Sequence, residues 1–73
     1  MSTKRLLLER GKGDFAQRWY VIQRADGSRL IEHQWRDAAE NDFTSETQSE
    51  AEFSKTRTDE EVKALVYAAL AEP

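Results

Sequence analysis

The stretch QRWYVIQRADGSRLIEHQWR, residues 17–36, limits what the chain can fold into more than any other. Two runs rich in Trp, Tyr, Val, Ile and Leu flank Asp26-Gly27, a dipeptide that tolerates the positive φ angles of a type I′ turn, so the stretch predicts a β-hairpin. A two-residue loop sets Ala25 against Ser28, which puts Ile22 opposite Ile31, Tyr20 opposite His33 and Arg18 opposite Trp35 on one face. Trp19 opposite Gln34, Val21 opposite Glu32 and Gln23 opposite Leu30 share the other. The first face is expected to enter a core. The second is half apolar, more than contact with water requires. Trp19, Val21 and Leu30 are therefore candidate anchors for a protein partner, with Arg5, Arg10, Arg24 and Arg29 as a charged rim.

Ahead of the hairpin, the run Leu6-Leu7-Leu8 and the turn residues Gly11-Lys12-Gly13-Asp14 predict a further strand, giving three antiparallel strands near residues 4–10, 17–24 and 29–36. Alternation places Leu6 and Leu8 on one face and Leu7 on the other, and Phe15 is expected to close the end of the core. Residues 37–57 are rich in Ser, Thr and Glu and read as a long acidic connection, with one or two helical turns at Asp37-Ala38-Ala39-Glu40 and with Phe43 and Phe53 pinning it to the sheet. Thr58 and Glu61 have capping-box spacing, and Val62, Leu65, Val66, Ala69 and Leu70 form one apolar face, so a helix is expected from about 59 to 71. A helix this short is marginal alone and must pack on the sheet, on the Tyr20/Ile22/Ile31/Trp35 side. The expected fold is thus α+β, one small domain over 1–73: a three-stranded meander (1–36), a connection (37–57) and a C-terminal helix (58–72) on one face.

Several functions are disfavoured by what the chain lacks. It has no cysteine for a disulfide or thiolate metal site, and the single His33 cannot build a histidine-rich one. Strand alternation puts Glu32 and His33 on opposite faces, and no Ser or second acid completes a catalytic set. Glu46, Glu50 and Glu52 lack the spacing of a calcium loop, and Gly11-Lys12-Gly13 lacks the rest of a phosphate-binding loop. The expectation is a protein that is not an enzyme and needs no cofactor or metal. No apolar run approaches the roughly 20 residues that span a bilayer, and a bacterial cytoplasmic location fits.

Charge is divided along the chain. Residues 1–36 carry eight Lys/Arg against four Asp/Glu, a net of +4, and residues 37–73 carry three against ten, a net of −7. A basic sheet can steer towards a partner while the acidic half repels nucleic acid, so direct binding of DNA or RNA is disfavoured. The arrangement Arg18-Trp19-Tyr20 with Arg24 and Arg29 is the one that could stack on single-stranded RNA.

Taken together, KRLLLER, RWYVIQRADGSRLIEHQW and the closing TDEEVKALVYAAL make the chain resemble the small transcription regulators of lytic Xanthomonas phages. The resemblance rests on size and layout over the full chain. It implies a non-enzymatic protein that binds host RNA polymerase near the N-terminus of β′ and at the β flap, hinders initiation by dislodging σ, and acts as an antiterminator; the chain itself is expected to be a monomer. The alternatives are another host-takeover inhibitor, for example of a nuclease, and a single-stranded RNA-binding module.

Overall fold

A computed structural model describes residues 2–12, 15–37 and 42–72, with Lys12 described in its backbone alone. The expected turn at Gly13-Asp14 and the helical turns across residues 38–40 lie outside the described residues. The order is β1 (Thr3–Lys12), β2 (Phe15–Gln23), β3 (Arg29–Arg36), β4 (Thr44–Ser49), α1 (Glu50–Ser54) and α2 (Glu60–Leu70). The strands form one antiparallel meander in the order β1-β2-β3-β4, with the helices packed on it.

The sheet has four strands where three were expected. β4, TSETQS, has no apolar residue and exposes most of its length. It is a strand because the second edge of β3 supplies its partners, from Leu30↔Ser49 to Trp35↔Thr44. The chain then turns at once into α1, where Ser49 accepts from the Glu52 amide and Glu52 accepts from the Ser49 amide, a complete capping box. That short helix delivers Phe53, 3% exposed, into the core.

The β2–β3 hairpin forms, but one residue out of the expected register. The Arg24 amide donates to the Ser28 carbonyl (2.9 Å) and the Gly27 amide to the Arg24 carbonyl (3.0 Å), so the loop holds three residues. Gly27 sits at φ 90 and no other residue among those described has a positive φ, which rules out the type I′ turn at Asp26-Gly27. A β-turn over Ala25-Asp26 followed by a left-handed glycine is the usual three-residue hairpin, and the Asp26 carboxylate fixes it by accepting from the Ser28 amide and hydroxyl. A slip of one residue moves every side chain to the other face. Val21 therefore pairs with Ile31, Trp19 with His33 and Tyr20 with Glu32.

The core follows from that register. Trp19, Ile31, Phe53, Val62 and Val66 form the buried cluster, with Leu7, Leu8 and Leu70 against it. The helices thus pack on the Trp19/Val21/Ile31 side, not the Tyr20/Ile22 side. A bulge in β1 between Leu6 and Leu8 lets consecutive Leu7 and Leu8 both reach the core while Leu6 points away, contrary to strict alternation. Phe15 is 43% exposed and closes nothing.

α2 begins one residue later than its first capping signal. Asp59, not Thr58, is the N-cap and accepts from the Val62 amide at 3.0 Å. Val62, Val66 and Ala69 are buried, whereas Leu65 lies at the margin, 36% exposed. The helix has no basic residue in its last turn, and arginine from the sheet fills that role. Arg29 of β3 donates from Nη1 to the carbonyls of Leu70 (2.5 Å) and Ala69 (3.4 Å), and from Nη2 to that of Glu72 (2.6 Å). At the other end Arg10 of β1 makes a forked contact with Asp59 (2.5 and 2.8 Å) and reaches Glu61 (3.4 Å). The Arg10 guanidinium and the amides at the start of the helix hold the Asp59 carboxyl down to a pKa of about 2.

Candidate interaction surface

The helices cover one side of the sheet, and the other side carries side chains from all four strands with no helix upon it. Lys4 and Leu6 come from β1, Arg18, Tyr20 and Ile22 from β2, and Leu30, Glu32 and Arg36 from β3. Leu6, 48% exposed, pairs with Tyr20, while Ile22 pairs with Leu30, and the four make an apolar stripe over three strands. A sheet of this size needs one apolar face for its core. A second apolar area is surplus to folding.

Charges frame the stripe in pairs. Lys4 Nζ lies 2.6 Å from Glu32 Oε1 and 4.3 Å from the centre of the Tyr20 ring, so one ammonium serves a carboxylate and an aromatic face together. Glu32 is 8% exposed, and Gln34 Nε2 donates to its second oxygen at 3.3 Å. At the far end Arg18 Nε donates to Glu9 Oε2 (2.5 Å), and the Arg18 and Arg36 guanidinium groups lie 4.3 and 5.2 Å from the Phe43 ring centre. Phe43 therefore holds the connection on this side, as Phe53 does on the opposite one.

The residues expected to make the interface do not meet. Trp19 and Val21, 6% and 8% exposed, lie on the helix side, whereas Leu30 lies on the helix-free side. The cause is the one-residue register. Of the expected rim, Arg10 and Arg29 hold α2, Arg5 pairs with Glu72 (2.7 Å), and Arg24 donates to Ser28 Oγ at the hairpin loop (2.7 Å). Two of these four, Arg5 and Arg10, thus meet carboxylates of the acidic second half. Leu6, Tyr20 and Ile22 were missed, and reading Ala25-Asp26-Gly27 as a three-residue loop is the signal that finds them.

His33 lies on the helix side in an aromatic ladder, its ring stacked on Trp19 at 4.6 Å and 7° and tilted against Trp35 at 4.9 Å. Its Nε2 is buried without a hydrogen-bond partner, and burial lowers its pKa below the ordinary value, with Glu46 opposing. This is a packing histidine. Among the described residues no group of three or more His, Asp or Glu side chains is placed to hold a metal ion, and no helix is long and apolar enough to cross a membrane.

Compared with protein families, curated proteins and solved structures, the chain matches none.

Proposed function

We propose that the chain is a non-enzymatic regulator that binds host bacterial RNA polymerase through the helix-free side of its sheet. The observation that carries the reading is the Leu6/Tyr20/Ile22/Leu30 stripe, with Leu6 exposed and the other three half-buried, on a sheet whose core is formed on its other side. Aliphatic and aromatic anchors inside a frame of paired charges are what a protein contact uses, the anchors supplying affinity and the frame orientation. The partner's identity rests on the resemblance to phage transcription regulators, which also supports contacts to the β′ N-terminus and β flap, σ displacement and antitermination. The same face carries Glu9 and Glu32 beside its cations, which sets it against a phosphate backbone.

The test is direct binding to purified bacterial RNA polymerase. Leu6→Asp and Tyr20→Ala should each weaken binding more than about tenfold, roughly 1.4 kcal/mol, with the amide spectrum of the fold retained. Full-strength binding by both folded variants removes the face from the interaction. A wild-type chain that does not bind polymerase removes the function.

A further inference from the structure

The two edges of the sheet differ. β4 is a six-residue strand with no apolar side chain, whereas β1 is ten residues long with three leucines at its centre. The main chain of β1 pairs with β2 on one side, and among the described residues no other group hydrogen-bonds to it. Its outward N–H and C=O groups form an unused ladder, and Leu6 beside them is half exposed.

Resting on the protein-binding reading above, we infer that this edge receives an extended, acidic segment of the partner protein as a fifth strand. Charge selects the occupant. β1 carries Lys4, Arg5, Arg10 and Lys12 against Glu9 alone, a net of +3. The side chains of Lys4, Arg5 and Arg10 remain 42%, 54% and 38% exposed although each has a carboxylate partner. The Arg5–Glu72 pair is exposed at both ends, and pairs of that kind are weak, so an incoming carboxylate can take Arg5 at little loss, while Lys4 and Arg10 keep their own partners and add partly exposed positive charge. A second copy of β1 is a poor occupant. Antiparallel self-pairing about Leu7 sets Lys4 against Arg10, opposes two strands of net +3, and places two bulges at the centre.

The alternation of a strand then dictates the partner's composition. Side chains of the added strand beside Lys4 and Leu6 extend the helix-free stripe, and those beside Arg5, Leu8 and Arg10 lie along α2. Alternating apolar and acidic residues satisfy both sides.

Two blocked decapeptides, one alternating Val with Glu and one alternating Val with Lys, test this against the isotope-labelled full chain. The Val/Glu peptide should move the amide signals of residues 3–12 and slow exchange of the outward β1 amides at least tenfold, and the Val/Lys peptide should not. Equal binding of both peptides, no change at β1, or changes confined to Tyr20, Ile22, Leu30 and β4 overturns the inference. Purified polymerase in the same exchange experiment separates it from the function above. Polymerase bound with β1 amides unprotected refutes strand addition alone, while a Val/Glu peptide docked on β1 beside unbound polymerase keeps the edge and removes that partner.

Discussion

Replacing Arg29 probes how the helix is held to the sheet. The guanidinium bonds to the Leu70 and Ala69 carbonyls are part-buried, and that to the Glu72 carbonyl is exposed. A charge-assisted hydrogen bond contributes about 1.5–3 kcal/mol, and half-burial places the Leu70 bond at the lower end of that range. The exposed bond adds a few tenths, and the positive charge at a helix C-terminus about 0.3–1 kcal/mol. Arg29→Ala should therefore cost about 2 kcal/mol. In a domain of this size that lowers the melting temperature by about 8–16 °C, and with a urea slope near ~1 kcal/mol/M it moves the midpoint by about 2 M. Arg29→Lys keeps the charge but cannot span several carbonyls, so it should lose about half as much. Arg29→Met keeps the stem without the donors and should resemble Arg29→Ala. A Met variant as stable as wild type would show that the stem's packing, not the carbonyl bonds, carries the effect, and an Ala variant within about 0.5 kcal/mol of wild type would refute the clamp altogether.

Val66→Ala should cost about 2 kcal/mol, since it removes two fully buried methyl groups at ~0.8 kcal/mol each and leaves a cavity, whereas Leu65→Ala at the helix margin should cost distinctly less. Denaturant melts that reverse this ranking would place the helix in a different rotation. Stability should depend on pH in two windows. Asp59 has a depressed pKa, so its contribution is present above the ordinary carboxylate value of 3.8 and is lost as pH falls towards about 2. His33 is also depressed but gains charge on protonation, so the fold binds fewer protons than the unfolded chain and stability declines as pH falls below 6.5. His33→Gln should flatten the upper window and leave the lower one, and two-variable melts of pH against urea check both; an unchanged upper window would assign it to another group.

The hairpin and α2 were legible because each has a period of its own, alternation for one and the i, i+3, i+4 face for the other. The faces were not, because they depend on whether the loop holds two residues or three, and Asp26-Gly27 fits both lengths. β4 was hidden for a different reason. Nothing in TSETQS asks for a strand, and only the open edge of β3 makes it one. The Ser49–Glu52 capping box was present in the sequence and marks the start of α1. Arginine roles were the least legible of all: the Arg10 and Asp59 side chains meet across 49 residues, a distance over which spacing carries no information.

The separations of these contacts also set an order of assembly. Strand pairing links neighbours across short connections, but the ties that seat α2 join residues 49 apart at Arg10 and 41 apart at Arg29. Closing a longer loop costs more entropy, so the meander is expected to form before the helix docks. Until then Trp19, Ile31 and their neighbours face water, and eleven residues of α2 are too few to persist as a helix alone. The ion pairs that tie Arg5 and Arg10 to Glu72, Asp59 and Glu61 are unmade in this interval. The basic sheet should therefore attract the acidic C-terminal half, and shorten the time during which the bare core faces other chains.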